Sequence, residues 1–176
     1  MKKFLQDFFL SFHYKKQLKR LVKRKIKQVA EIKTIGVLWG VDMAIDQTLI
    51  DKLASLLEVS KQKIQIVVPT AAGKMDDSKG LKIQYVDQKI LSWSAQFTSK
   101  ENRFCNTSFD LLINYFDQPS KLTALLSAQS KAKFRVGFAQ ADHRLNDLVF
   151  DFKPTEHQLF FEEFSKYIKT LFNKDS

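Results

Sequence analysis

The sequence predicts an α/β fold: a three-layer sandwich around a mostly parallel sheet of five or six strands, preceded by a long basic amphipathic helix. Three observations predict it. Short apolar runs alternate with longer stretches of helical periodicity, which is the pattern of strand-helix-strand units. The run Phe109-Asp-Leu-Leu-Ile-Asn-Tyr-Phe116 is nearly free of charge, as a strand buried on both faces must be. It leads through a Pro119-Ser120 helix start and a periodic Leu122, Leu125, Leu126 run into a second strand, Phe134 to Phe138. Third, residues 1–33 hold 11 Lys and Arg against Asp7 and Glu31, a net of +9, while the remaining 143 hold 18 bases and 17 acids.

That charge asymmetry divides the chain into a basic helical arm, residues 1–32, and a single near-neutral α/β domain, residues 33–176. A segregated basic arm is expected where a segment meets an acidic surface. A total of 176 residues supports one domain with a proper core. The 16 Phe favour a large, well-filled one. The single Cys105 excludes an internal disulfide and a cysteine-based metal site, and it suits a reducing compartment, so the cytoplasm is the expected location. No apolar run is long enough to span a bilayer. Met1-Lys-Lys-Phe-Leu has the start of a signal peptide, but Gln6, Asp7, Ser11 and His13 interrupt the run and Lys-rich sequence follows it.

Residues 15 to 32 lack Gly and Pro and consist mostly of good helix formers. At about 100° per residue, Leu18, Leu21, Val22, Ile26, Val29 and Ile32 share a face roughly 140° wide, with Lys16, Lys19, Arg20, Lys23, Arg24 and Lys27 opposite. The apolar stripe is expected to dock on the body and the basic ridge to face water. Upstream, Phe4, Leu5, Phe8, Phe9 and Phe12 form a stripe rotated from the later one, which predicts a bend near Ser11 to Tyr14 or a different partner for the first segment.

Along the body, Thr34 to Trp39 reads as the first buried strand and Gly40-Val-Asp42 as a turn. Ile45, Leu49, Leu53, Leu56 and Leu57 mark a helix with Asp46 at its start. Lys63 to Val68 is the second strand, ended by Pro69, and Thr70 to Gly80 a surface loop. Leu81 to Val86 alternates as a strand with one solvated face. Residues 87–108, with Ile90, Leu91, Trp93 and Phe97, read as irregular, closing in a polar loop from Ser99 to Thr107. After the central unit, Leu148 to Phe152 is a last strand. A terminal helix opens at Thr155 and Glu156 and carries Leu159, Phe160, Phe164, Tyr167, Ile168, Leu171 and Phe172. The arrangement is Rossmann-like, and such sheets bind ligands beyond the carboxyl ends of their strands, here the loops 39–46, 69–80, 116–120 and 139–145.

Phe109-Asp-Leu-Leu-Ile-Asn114, the Leu/Ala/Ser helix after it and Ala132-Lys-Phe-Arg-Val-Gly-Phe138 resemble, in order, the acceptor-side half of heptosyltransferase-type glycosyltransferases. Ile35 to Ile45 is similar to the opening of that family, with Asp42 where its carboxylate base stands. The resemblance implies the Rossmann-like fold and one alternative function: an enzyme subunit, or a binder of sugar or nucleotide, working through Asp42 and the strand-end loops. Val41 replaces the family's Gly, and the second, nucleotide-sugar-binding domain is missing, so catalysis by this chain alone is not expected. The whole layout also resembles a family of short Bacteroidota proteins with no established function, which implies a fold and no activity.

Other chemistry finds little support in the residues. His13, His143 and His157 lack metal-ligand spacing, and Cys105 has no His beside it. Pro69-Thr-Ala-Ala-Gly-Lys74 follows a strand but lacks the glycine spacing and the final Ser or Thr of a phosphate loop. Trp39 and Trp93 read as core, and neither a metal nor a cofactor is expected. For the arm three readings remain: the solvated face of a packed helix, a polyanion-binding ridge, or a peripheral membrane attachment. The leading expectation is a non-catalytic module binding RNA or a ribonucleoprotein surface, with Lys16, Lys19, Arg20, Lys23, Arg24 and Lys27 as phosphate contacts. Membrane attachment through Phe4, Phe8, Phe9 and Phe12 with the same ridge is a further alternative.

Overall fold

The computed structural model describes residues 2–26, 29–40, 42–69, 75–76, 81–87, 97 and 99–172. In chain order the elements are α1 (Lys2–Lys23), β1 (Ile35–Trp39), α2 (Gln47–Leu56), β2 (Ile64–Pro69), β3 (Met75–Asp76), β4 (Lys82–Val86), α3 (Ser99–Asn106), β5 (Leu111–Tyr115), α4 (Lys121–Gln129), β6 (Phe134–Phe138), β7 (Leu148–Phe150) and α5 (His157–Phe172). They build one sheet in the order β3-β4-β2-β1-β5-β6-β7, in which the two-residue β3 runs antiparallel at one edge and the other six strands are parallel. Among the six parallel strands, chain order runs outward from β1 in one direction and then from β5 in the other, so the switch point lies between them.

Strands β1 and β5 are buried at every position, and no charged residue lies within either, which explains their place at the centre of a covered parallel sheet. Side chains alternate across the sheet. Ile35, Val37 and Trp39 meet Leu49 and Leu53 of α2 and Phe160 and Phe164 of α5 in one core layer, while Leu38, Leu112 and Phe116 meet Leu10 and Leu18 of α1, Phe104 of α3 and Leu122 and Leu126 of α4 in the other. Gly36 falls on this second side, and a Cβ there would stand 2.8 Å from the Phe109 ring, so its bare backbone makes room for that ring. The helix starts follow the expected chemistry: Asp46 accepts from the Thr48 and Leu49 amides, and Ser120 accepts from the Thr123 amide.

The structure departs from the sequence expectations in several places, and Val22 and Ile26, expected in the docking stripe, are exposed. Helix α1 is continuous through Ser11–Tyr14 and stops at Lys23, short of Ile32. The reason is packing: Leu10, Leu18 and Leu21 belong to the α1/α3/α4 layer, but Val29 and Ile32 are buried in the α2/α5 layer. One helix cannot serve both faces of a sheet, so α1 ends at Lys23, ahead of the residues that join the other layer. The entry to β1 is pinned by Asp110, whose Oδ2 accepts from the Lys33 amide, the Thr34 amide and the Thr34 hydroxyl at 2.9, 2.9 and 3.0 Å. Second, Ser99–Asn106 is helical, with Phe104 and Cys105 buried against α4, where a polar loop was expected. Third, the last strand ends at Phe150, and Phe152 packs beyond it against Phe138 and Phe150. The expected loop 70–80 contains the edge strand β3; its other residues, and Trp93, lie outside the described residues.

Candidate anion-binding surface on the first helix

The solvent side of α1 has two halves with different chemistry. Phe4, Leu5, Phe8 and Phe12 are exposed to 77%, 45%, 60% and 54%. Lys15, Lys16, Lys19, Arg20 and Lys23, farther along, are exposed as well. At 3.6 residues per turn, Phe4, Leu5, Phe8, Phe12, Lys15, Lys16, Lys19 and Lys23 fall within one sector roughly 120° wide. The buried Leu10, Leu18 and Leu21 and half-buried Tyr14 lie opposite. The rotation between the two apolar stripes therefore marks no bend. The Phe stripe looks away from the body, on the same side as the lysines.

The helix is fixed in that orientation by polar ties as well as by packing. Tyr14 Oη donates to Asp142 Oδ2 at 2.7 Å, and both Asp142 oxygens accept from the Arg144 guanidinium at 2.8 Å. Arg144, with help from Tyr14 and against the effect of burial, holds the Asp142 carboxyl down at about 2. Burial and the neighbouring Asp142 push the Tyr14 phenol well above its ordinary range.

The expected phosphate contacts separate in the structure. Lys16, Lys19, Arg20 and Lys23 stand exposed, without a carboxylate partner among the described residues. Arg24 does not stand with them: its Nη2 donates to both oxygens of Asp147 at 2.8 and 2.6 Å, and its Nη1 to the Lys133 carbonyl at 3.1 Å. Lys27 lies outside the described residues.

The carboxyl edge of the sheet carries a different cluster. Trp39 and Tyr115 are register partners at the switch point between β1 and β5, with rings stacked 4.4 Å apart, and His157 from α5 stacks on Tyr115 at 5.7 Å. The Tyr115 hydroxyl donates to the Pro154 carbonyl at 2.7 Å and lies 2.5 Å from His157 Nδ1. A carbonyl can only accept, so the phenol proton points there and the imidazole proton sits on Nδ1. Burial, with Asp46 as a lesser cause, pushes the Tyr115 phenol well above its ordinary range. Asp42 sits exposed in the turn after β1, outside this cluster. His143 is exposed on the short helix Asp142 opens, and no group of metal-ligating side chains assembles among the described residues. The phosphate-loop candidate 70–74 lies outside them.

Sequence reasoning passed over Arg135. It is 1% exposed in the middle of the apolar β6, where burial, with Arg24 alongside, pulls its guanidinium down to about 10. Its Nη1 donates to the Ser127 carbonyl at 2.7 Å and its Nη2 to the Ser130 carbonyl, so it caps the last turn of α4 from the neighbouring strand. A lone arginine inside a strand otherwise read as core was the signal.

Residues 6–171 match the profile of DUF6913, a family of unknown function. The chain belongs to the DUF6913 family. The match takes in most of α1 together with the whole sheet. No curated protein and no solved structure is significantly similar to this DUF6913 chain.

Proposed function

We propose that α1 attaches this protein to the surface of an anionic membrane, with Phe4, Leu5, Phe8 and Phe12 entering the interface and Lys15, Lys16, Lys19 and Lys23 meeting the headgroups. The observation that supports it is the shared solvent face: exposed apolar side chains at i, i+4 and i+8 continue directly into lysines on one rigid helix. Contiguous apolar exposure of this kind marks an interaction surface. A phosphate backbone accounts for the lysines but gives no role to four exposed apolar side chains, whereas a lipid interface uses both. Attachment is peripheral, since no described helix is long and apolar enough to cross a bilayer.

A second reading, RNA or a ribonucleoprotein surface, is favoured by the unpartnered Lys16, Lys19, Arg20 and Lys23. Cosedimentation of nuclease-treated protein with phosphatidylglycerol vesicles, beside phosphatidylcholine vesicles and RNA, tests the two. Binding to the anionic vesicles that is lost in Phe4→Ser/Phe8→Ser supports the membrane reading. RNA binding indifferent to those two substitutions supports the second. A nucleotide sugar that raises the melting temperature, and fails to do so in Asp42→Asn, would favour the small-ligand role implied by the glycosyltransferase resemblance over both.

A further inference from the structure

Between the last turn of α1 and the end of α4 lies a groove of about 410 Å3, within the usual size range of small-molecule sites. Arg20, Arg24, Lys25, Lys131 and Arg135 line it, and no carboxylate does. The charges are only partly answered. Asp147 neutralises Arg24, and two of the three guanidinium nitrogens of Arg135 donate to the carbonyls of Ser127 and Ser130, with no carboxylate. That contact also places a positive charge at the negative end of α4, which would otherwise repel an anion. Arg20, Lys25 and Lys131 have no carboxylate partner among the described residues. Nε of Arg24 and Nε of Arg135, both on residues that line the groove, are buried without a hydrogen-bond partner. Gathering five cations and leaving polar atoms orphaned is unfavourable in an empty protein.

We propose that this groove receives a phosphate-type anion, a phosphate monoester or pyrophosphate, held by Arg20, Lys25 and Lys131 over a floor of Arg24 and Arg135. A carboxylate would bring one charge to three open cations; a phosphate brings up to two and several acceptor oxygens for donors converging from different elements. The inference does not need the membrane reading, because the phosphate can belong to a soluble molecule or to a lipid headgroup.

The test uses the full chain at constant ionic strength. Inorganic pyrophosphate is expected to raise the melting temperature. The Lys25→Ala/Lys131→Ala variant changes only exposed side chains and keeps the fold, and it is expected to weaken pyrophosphate by about tenfold or more for each cation removed. Vesicles containing phosphatidic acid, compared with phosphatidylglycerol vesicles of equal charge, distinguish the source. A preference for the monoester lipid that disappears in the double variant places the phosphate on a lipid, and pyrophosphate binding without that preference places it on a soluble ligand. No pyrophosphate shift together with no lipid preference, or either effect unchanged in the double variant, overturns the proposal. A pyrophosphate shift that survives Phe4→Ser/Phe8→Ser while vesicle binding is lost shows the groove and the helix face to be separate functions.

Discussion

Arg24 and Asp147 meet through one guanidinium nitrogen and both carboxylate oxygens, at 2.8 and 2.6 Å, across 123 residues of chain. The same carboxylate accepts from the Arg135 amide at 2.9 Å, so one acid joins the end of α1 to the sheet at β6. Arg24 is 22% exposed and Asp147 10%, which takes the pair out of the class of solvated surface bridges. Arg24→Ala leaves a buried carboxylate short of its partner and is expected to cost about 2–3 kcal/mol. In a chain of this size that lowers the melting temperature by about 4–12 °C by calorimetry. Breaking the exposed Lys166–Glu163 pair instead is expected to stay within about 0.5 kcal/mol. Equal effects from the two substitutions would mean that Arg24 is an ordinary member of the ridge.

Acid stability depends in part on Asp142. Its carboxyl is held at about 2 by Arg144 and Tyr14, below the ordinary value of 3.8. A depressed acid contributes stability above its unfolded pKa, and that contribution is lost as pH falls through the folded one. The window is therefore about pH 4 down to about pH 2. Melting curves across that range are expected to fall less steeply for Asp142→Asn than for the natural chain. Tyr14→Phe removes one of the hydrogen bonds and is expected to move the midpoint of the loss toward higher pH. Asp110 adds to the same limb: burial raises it, but Lys133, the Lys33 and Thr34 amides and the Thr34 hydroxyl outweigh that and hold it below its usual range.

The parallel sheet was legible because its signals are local. Leu111–Tyr115 needs no partner to announce itself as a covered strand, and Asp46 and Ser120 cap the helices they precede. The end of α1 was not legible, because the apolar period runs unbroken past Lys23 to Ile32 and only the tertiary fold assigns Val29 and Ile32 to the opposite core layer. The helix at Ser99–Asn106 was missed for a related reason: its sequence, Ser-Lys-Glu-Asn-Arg-Phe-Cys-Asn, holds only Phe104 and Cys105 as apolar residues, too short a stripe to show a period. Of the candidate site, the ridge could be read by counting charge. Arg24 could not be told from Lys23 in sequence, since what separates them is Asp147, far along the chain. Likewise His157, 42 positions from Tyr115, gives no sign of their contact.

Gly36 is a second place where sequence shows a residue and structure its reason. Gly36→Ala puts a methyl group 2.8–2.9 Å from two carbons of the Phe109 ring, in a buried layer that cannot readily shift. The expected cost is about 1–3 kcal/mol, from overpacking rather than from any loss of contact. Denaturant unfolding measures it, and Phe109→Leu in the same chain is expected to recover part of the loss by vacating the space. An alanine that is neutral on its own would mean that the ring moves freely.

The two halves of the α1 face predict two separable effects on vesicle binding. Withdrawing a phenyl ring from an interface forfeits up to about 1.5–3 kcal/mol, so Phe4→Ser/Phe8→Ser is expected to weaken binding to phosphatidylglycerol vesicles by about a hundredfold or more. Because the loss is apolar, it persists at every salt concentration. Lysines near an anionic surface contribute about 1 kcal/mol each, so Lys16→Gln/Lys19→Gln/Lys23→Gln costs on the order of a hundredfold at low salt. That loss shrinks as the Debye length falls below about 8 Å, until the triple variant and the natural chain converge. Binding as a function of salt therefore separates the two variants even where their low-salt affinities coincide. If α1 instead served a nucleic acid, the triple variant would still flatten the salt dependence, but the two serines would change little. Both sets of residues are exposed, so neither variant removes a core contact, and circular dichroism is expected to show the helix intact in each.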